Sequence, residues 1–324
     1  MRRLLAAALV ALLAACGLFA LDLGRRWGRQ APADAPLVEV EIPRGTSLAA
    51  AAARLEAAGV IDSASRFRLA ARVLGGSRPI RHGLYALPRG AGYAEILAKL
   101  QKGEVLTLFL TIPEGLPAVL VHERLMAAPR LVGEVEVPPE GSVLPATWDY
   151  RPGETRAALL ARMQKGMADA LAELWAARKP TAAVRTPEEA VILASIVEKE
   201  TAVPAERRRV AGLYTNRLKA GMKLEADPTV IYPITRGRPL GRRIRQSELA
   251  ADTGWNTYAR AGLPKGPITN PGRASLAAVL DPEPHPYLFM VADGSGGHVF
   301  AETYAEHRAN VERWYALRRA KGEM

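Results

Sequence analysis

A glutamate at the end of an apolar segment is the residue best suited to acid–base chemistry in this chain. Glu198 follows the run AVILASIV at positions 190–197, in which only Ser195 is polar. A carboxyl group beside so much apolar surface loses hydration, and lost hydration favours its protonated form. A carboxyl that keeps its proton near neutral pH can act as a general acid. We therefore expect Glu198 to be a proton donor.

Signals for the start of a helix precede Glu198 in the sequence. In TPEE at 186–189, Thr186 can cap a helix, Pro187 suits the first helical position, and Glu189 can reach back as in a capping box. The helix is predicted to run to about residue 201 and to be buried on most faces, because residues 191–197 are apolar in nearly every direction. Glu198 and Glu200 then fall in the last turn, where the helix dipole disfavours negative charge.

A purely structural role for these two acids is also open. Lys199 lies between them, and Arg207, Arg208 and Arg209 follow shortly downstream. Ion pairs between such groups are common at helix ends.

Composition restricts the class of protein. The chain has 324 residues, of which 49% are hydrophobic and 24% charged, so it can bury a core and is expected to hold two domains or more. A net charge of +11 suits an anionic partner, such as nucleic acid, an acidic membrane surface or an acidic polymer. Since no interleaved aromatic and basic motif and no zinc pattern occurs, we expect no nucleic-acid partner.

The N-terminus predicts a membrane anchor. Arg2 and Arg3 precede a mostly apolar, uncharged run at 4–21, close to the roughly 20 residues that a spanning helix needs. We expect residues 1–24 to be a single-pass anchor and residues 25–37 a linker to an exported region. The string LAAC at 13–16 resembles a lipobox, so lipidation at Cys16 is an open alternative. Cys16 is the only cysteine, so the exported region has no disulfide.

An internal repeat follows the linker. Segments at 42–55, 87–100 and 112–125 share a β-like run, a Pro-x-Gly turn and a leucine twelve residues after the proline, and 150–163 is a looser copy. Each predicts a strand, a tight turn and a helix. Residues 38–104 resemble the LysM-like domain of bacterial wall proteins, which implies glycan contact, although packing alone explains the repeat equally well.

The C-terminal half mixes helices and strands. We predict helices at 204–221 and 303–321, an extended segment at 223–235 that is rich in strand formers, and a hairpin at 287–300. Aromatic and apolar residues at helical spacing in the last helix predict a face packed in the core: Tyr304, His307, Val311, Trp314 and Tyr315. The fold class is α+β, with an N-terminal transmembrane helix, a small LysM-like β/α module at 38–104, a linking subdomain at 105–180 and a larger mixed α+β catalytic domain at 181–324.

Several uncommon strings occur in one order over this half. They are ASIVEKET at 194–201, NR at 216–217, DPTVIY at 227–232, NTY at 256–258, GLP at 262–264, NPG at 270–272 and VADG at 291–294. In this order they resemble the signature of the YceG-like endolytic murein transglycosylases. The chain departs from that pattern at Pro233, at Lys265 and in GSVLPATW at 141–148.

The resemblance implies roles for individual residues. Glu198 matches the family's catalytic glutamate. The polar residues of the matching strings are candidates for binding substrate: Glu200, Asn216, Asp227, Thr229, Tyr232, Asn256, Tyr258 and Asn270. Neither a cofactor nor a metal is expected, because the five histidines lie far apart without ligand spacing.

The implied activity is that of a peptidoglycan lyase. Such an enzyme is held by one helix in the bacterial inner membrane, with its catalytic domain in the periplasm. It cleaves the β-1,4 bond between N-acetylmuramic acid and N-acetylglucosamine in nascent glycan strands and forms 1,6-anhydromuramyl ends, which terminates glycan chains during wall assembly. Peptidoglycan synthases are a candidate class of partner. Two alternatives stay open: a muramidase-type hydrolase that uses Glu198 with Asp227 or Glu200, and a noncatalytic glycan-binding scaffold.

Overall fold

The chain divides into two compact units. The structure is a computed structural model that describes residues 2–322, and its units are Met1–Leu108 and Phe109–Met324. Met1, Glu323 and Met324, which belong to the predicted ranges 1–24 and 181–324, lie outside the described residues. Both units contain helices and strands, so the predicted mixed α+β class is confirmed. The LysM-like character of residues 38–104 and the division at residue 180 stay predictions.

The first unit combines a two-stranded sheet with four helices. Its elements are α1 (Arg2–Gly28), β1 (Leu37–Ile42), α2 (Leu48–Ala57), α3 (Ala64–Leu74), β2 (Gly83–Pro88) and α4 (Tyr93–Lys102). β1 and β2 pair antiparallel, with Val40 opposite Tyr85. Phe67 and Tyr93 meet edge to face, with ring centroids 5.4 Å apart, in the core between the helices and the sheet.

The N-terminal helix is long and apolar. Its segment Leu5–Gly28 has the length and composition needed to cross a membrane, which a signal sequence near an N-terminus shares. Near the end of α1, Leu23 is buried in the core of the first unit. The last turns of this helix are therefore part of the folded unit.

The second unit is mostly helical. It contains β3 (Leu108–Ile112), α5 (Ala118–Ala127), β4 (Ala146–Tyr150), α6 (Arg156–Ala176), α7 (Pro187–Glu200), α8 (Arg207–Lys219), α9 (Asp227–Thr235), α10 (Gln246–Ala250), α11 (Arg273–Leu280), β5 (Phe289–Ala292), β6 (His298–Ala301) and α12 (Tyr304–Ala320). β3 pairs with β4, and β5 pairs antiparallel with β6 as the predicted hairpin. α7 packs against α6, α8 and α11, and these four helices form the core.

The predicted strand–turn–helix repeat is confirmed in all four copies. Gly45, Gly90, Gly115 and Gly153 close the turns with φ values of 79°, 79°, 71° and 84°. Only glycine adopts such values without strain, which explains its place in each turn. The leucine twelve residues after each proline is fully buried in the first three copies: Leu55, Leu100 and Leu125.

Helix α7 forms as its sequence signals predict. The Thr186 hydroxyl accepts the N–H of Glu189 at 3.2 Å, while the Glu189 carboxylate accepts the N–H of Arg185 at 2.6 Å. Glu189 thus reaches one residue further back than in a capping box. Seven of the fourteen residues of α7 are buried, all of them between 190 and 197. The prediction of a helix buried on most faces is therefore confirmed.

The predicted extended segment at 223–235 is wrong over most of its length. Residues Asp227–Thr235 form α9 instead. Pro228 occupies the first turn, where its missing N–H costs no hydrogen bond. Thr229 and Val230 are buried, so packing outweighs the strand preference of the β-branched residues.

The predicted core face of α12 is also wrong. Tyr304 and Tyr315 are 63% and 43% exposed, and Asn310 is the one described residue of this helix that is buried. His307, Val311, Trp314 and Tyr315 line an open cavity instead. Helical spacing shows that these residues share a face, but it does not show whether a core or a cavity lies opposite.

A buried asparagine joins three loops near the end of α7. The Asn270 amide donates to the Leu116 carbonyl at 2.9 Å and to Glu140 Oε1 at 3.3 Å, and its Oδ1 accepts the N–H of Val143 at 3.0 Å. Its backbone carbonyl accepts the N–H of Gly115 at 3.0 Å. Asn270 therefore fixes the turn of the third repeat, the segment at 140–143 and the loop before α11.

Glu140 makes the stability of this junction depend on pH. Burial raises its pKa from 4.5 to about 7, against hydrogen bonds from the Ala118 N–H, the Tyr232 hydroxyl and the Gly141 N–H. The folded chain therefore holds a proton at Glu140 that the unfolded chain releases near pH 4.5. The contribution of protonated Glu140 to the stability of the fold is complete below about pH 4.5 and is lost as the pH rises through about 7.

Glu140→Gln should reduce the loss of folding stability with rising pH. Between about pH 5 and about pH 8, we expect the free energy of unfolding of the full chain in mild detergent to fall by about 1–3 kcal/mol less in the variant than in the parent. Glu136→Gln, at an exposed glutamate on the same segment, is the control. If the free energy of unfolding fell equally in the parent and in Glu140→Gln, the raised pKa of Glu140 would not be the cause of the pH dependence.

Candidate functional site

The Glu198 carboxyl is almost completely enclosed in the last turn of α7. Its side chain is 6% exposed. The N–H of Gly272 donates to Oε2 at 2.8 Å, and Nη2 of Arg207 lies 4.0 Å from Oε1. Both groups stabilise negative charge on the carboxyl, whereas its removal from water disfavours that charge.

Two glycines allow three segments to meet around this carboxyl. A Cβ at Gly115, in the turn of the third repeat, would lie 3.4 Å from Glu198 Cγ. A Cβ at Gly272 would lie 2.0 Å from Glu114 Oε1, closer than side chains tolerate. Glu114 Oε2 in turn lies 3.8 Å from Arg207 Nη2. The site at Glu198 therefore consists of Glu114, Gly115, Glu198, Arg207 and Gly272, which we call the Glu198 cluster.

The sequence alone does not indicate most of this cluster as a functional site. It predicts Gly115 as a turn residue, Gly272 as part of the NPG string and Arg207 as an ion-pair partner. Glu114 had no assigned role. These residues lie up to 158 positions apart in the chain, and only the packing of the second unit brings them together.

Glu200 points to a different side of the same helical turn. Two residues along an α-helix correspond to a rotation of about 200°, so Glu198 and Glu200 diverge. Glu200 lines a cavity of about 630 Å³, which Glu198 does not. Burial and the charge of Asp227 raise the pKa of Glu200 to about 7, while the Tyr214 hydroxyl and Arg217 oppose that rise.

The cavity brings together three of the predicted site residues. Asp227 and Tyr258 line it with Glu200, and the Tyr258 hydroxyl donates to Asp227 Oδ1 at 2.7 Å. Burial, followed by this hydrogen bond, raises the pKa of Tyr258. The hydroxyl therefore stays protonated and can serve as a hydrogen-bond donor near neutral pH.

Three other predicted residues use their side chains to hold backbone. The amide of Asn216 donates to the carbonyls of His285 at 2.7 Å and Tyr287 at 3.1 Å. The amide of Asn256 donates to three carbonyls in and beside α10, between 2.7 and 3.1 Å. The buried hydroxyl of Thr229 bonds to the Ala226 carbonyl at 2.6 Å and the Thr257 hydroxyl at 2.8 Å. In the structure these side chains order loops.

The last two predicted residues lie elsewhere. Tyr232 lines a separate pocket of about 350 Å³ together with Glu140 and Trp255, whose ring centroid is 5.4 Å from its own. Asn270 is buried, and it holds the loop that carries the N–H of Gly272 to Glu198. Asn270 therefore acts on Glu198 through the position of Gly272.

Within residues 2–322, no group of three or more histidine, cysteine, aspartate or glutamate side chains is arranged to hold a metal ion. His298 instead bonds to Glu206 at 2.9 Å, and His285 bonds to the Arg209 carbonyl at 2.8 Å.

Two proteins that are similar to this chain carry the same name. An "Endolytic murein transglycosylase" of Bacillus subtilis strain 168 is 26% identical over 316 residues, which cover 88% of this chain and 86% of the relative. A protein of the same name from Streptococcus pneumoniae serotype 2 strain D39 is 26% identical over 323 residues. That alignment covers 85% of this chain and 58% of the longer pneumococcal protein.

The fold and the sequence pattern agree with these relatives. A crystal structure of a putative YceG-like protein from Listeria monocytogenes superimposes with a TM-score of 0.50 at 25% identity, covering 85% of this chain and 99% of that one. The family model described as the YceG-like family matches residues 40–313, which span most of both units and include Glu198 and Glu200. The chain belongs to the YceG-like family.

Proposed function

We propose that the chain is a membrane-anchored lytic transglycosylase that cleaves peptidoglycan endolytically. It cuts the β-1,4 bond between N-acetylmuramic acid and N-acetylglucosamine in nascent strands and leaves 1,6-anhydromuramyl ends, which terminates glycan chains during wall assembly. The names of the relatives support the reaction class. The observation that carries the proposal is the enclosed carboxyl of Glu198, held by the Gly272 N–H beside Arg207.

The first step is proton donation by Glu198. The carboxyl delivers its proton to the glycosidic oxygen as the bond from that oxygen to C1 of the muramyl residue breaks. Positive charge develops on the sugar, and a carboxylate forms at Glu198. The Gly272 N–H and the Arg207 guanidinium are placed to stabilise that carboxylate, as fixed donors do for charge that develops during a reaction.

The second step uses the same residue as a base. The Glu198 carboxylate takes the proton of the muramyl C6 hydroxyl, whose oxygen bonds to C1 and closes the 1,6-anhydro ring. No water is consumed, and Glu198 regains its proton. An ordinary glycosidase needs a second carboxylate about 5 Å away as nucleophile, or roughly 6.5–9.5 Å away to activate water. A transglycosylase needs none, because the substrate supplies the attacking hydroxyl.

A hydrolase is the second candidate, with Glu200 and Asp227 as its acids in place of the predicted pairing of Glu198 with either of them, because Glu198 does not line the cavity that these two share. Glu200 with its pKa near 7 and the neighbouring Asp227 are two coupled carboxyls in one cavity. Such a pair can act as an acid and a base on a glycosidic bond. The products distinguish the two reactions, since hydrolysis leaves reducing ends and transglycosylation leaves anhydro ends.

The N-terminal helix supports the proposed location. α1 has the length and composition of a membrane span, and we propose that it holds the chain in the bacterial inner membrane with the catalytic domain in the periplasm. Cys16 is exposed on this helix, so lipidation there is the alternative form of attachment. At this location, peptidoglycan synthases are the proposed partners.

Glu198→Gln should abolish the formation of anhydro ends. The amide cannot donate and then accept the proton, and removal of one general acid–base group typically lowers the rate by about 10²- to 10⁴-fold. The measurement is mass spectrometry of the products from isolated peptidoglycan.

Glu188→Gln is the matched control, because it makes the same chemical change at an exposed residue in the first turn of α7. It should leave the products unchanged. If Glu198→Gln still formed anhydro ends at the full level, Glu198 would not be the general acid.

Gly115→Ala should impair catalysis more than stability. Gly115 and Gly153 occupy equivalent turns with positive φ, so alanine strains both turns in a similar way. A Cβ at Gly115 would also press on Glu198 Cγ, whereas a Cβ at Gly153 meets nothing within 4 Å. We therefore expect similar losses of thermal stability, but a kcat at least about tenfold lower only in Gly115→Ala. Equal kcat values in the two variants would show that this turn does not position Glu198.

A further inference from the structure

The cavity beside Glu200 contains polar atoms that the fold does not satisfy. Glu200 Oε1 and His307 Nδ1 are both buried, and neither has a hydrogen-bond partner among the described residues. Buried polar atoms in native proteins are almost always hydrogen-bonded. Two such atoms on residues that line one cavity therefore indicate a site for a polar molecule.

Part of the cavity wall is aromatic. Trp314 and Tyr315 of α12 and Tyr258 line the cavity, and Tyr315 is 43% exposed. The turn of the hairpin lies close to this tryptophan, since a Cβ at Gly294 would lie 3.4 Å from its Cζ3. An aromatic ring next to hydrogen-bonding groups suits a ligand with an apolar face and a polar edge. A pyranose ring has this character.

Two acidic side chains of the cavity wall already have partners. Arg217 forms an ion pair with Glu225 at 3.2 Å, and Asp227 accepts the Tyr258 hydroxyl. A highly charged ligand would therefore displace existing partners. A neutral polar ligand would not. The volume of about 630 Å³ lies within the roughly 300–1,000 Å³ of small-molecule sites.

The cavity adjoins the Glu198 cluster at Lys199. The side chain of this lysine lines the cavity, and its Cδ lies 3.7 Å from the position of a Cβ on Gly115. The same position lies 3.4 Å from Glu198 Cγ. Lys199 therefore borders both the cavity and the Glu198 cluster.

We propose that this cavity is a sugar subsite that binds an N-acetylhexosamine unit next to the bond cleaved at Glu198. Trp314 stacks on the face of the sugar, and Glu200 hydrogen-bonds to one of its hydroxyl or acetamido oxygens. The identity of the sugar rests on the proposed function. The role of α12 goes beyond that function, because it makes the C-terminal helix a substrate-binding element.

Direct binding tests the subsite without turnover. The parent is the full chain carrying Glu198→Gln, and the probe is a tetrasaccharide of alternating N-acetylglucosamine and N-acetylmuramic acid without stem peptides, titrated by calorimetry. Adding Trp314→Ala should raise Kd about tenfold, as expected for the loss of one stacking contact. Adding Glu200→Leu should have a similar effect, whereas Glu200→Gln, which keeps a hydrogen-bond donor, should bind more tightly than Glu200→Leu.

Phe109→Ala is the control for removal of an exposed aromatic ring outside the cavity, since Phe109 is 67% exposed and does not line it. It should leave Kd unchanged. Because Trp314 is partly exposed, its variant is expected to fold even if Glu200→Leu does not.

Two results would overturn the subsite. One is an unchanged Kd in Trp314→Ala. The other is binding only of fragments that carry stem peptides, which would make the cavity a peptide site. A failure of the proposed function would look different from a failure of the subsite. In that case the unmodified chain would form no anhydro ends, even if the tetrasaccharide bound through Trp314.

Discussion

A carboxyl group removed from water must be compensated by fixed donors, and this requirement governs the architecture around Glu198. The compensation comes from one backbone N–H at Gly272 and one guanidinium at Arg207. Neither lies on α7, so the second unit must hold the loop before α11 and the start of α8 against the end of α7. The buried helix core and the Asn270 junction supply that rigidity.

The same helical turn serves two environments because its two acids diverge. Glu198 faces the Glu198 cluster, and Glu200 faces the large cavity. Burial and the charge of Asp227 raise the pKa of Glu200, whereas the Glu198 carboxyl lies beside the Gly272 N–H and the Arg207 guanidinium. Under the proposed function the first acid transfers protons, and under the proposed subsite the second binds sugar.

Local signals made much of the fold predictable. The cap at Thr186, the Pro-x-Gly turns and the hairpin at 287–300 depend on residues adjacent in sequence, and each was confirmed. The prediction of an extended segment at 223–235 was wrong because the burial of Thr229 and Val230 in a helix outweighed their strand preference. The prediction that one face of α12 packs in the core was wrong because helical periodicity cannot show what lies opposite that face. Arg207 and Gly272 could not be predicted as partners of Glu198, because only tertiary packing brings them to it.

The central claim is that one carboxyl suffices because the substrate provides the attacking hydroxyl. Digestion of peptidoglycan in water enriched in ¹⁸O tests it most directly, with mass spectrometry of the muramyl ends. Intramolecular attack by the C6 hydroxyl predicts anhydro ends that contain no ¹⁸O. Reducing ends that each carry one ¹⁸O atom would show that water attacks C1, and would contradict the account.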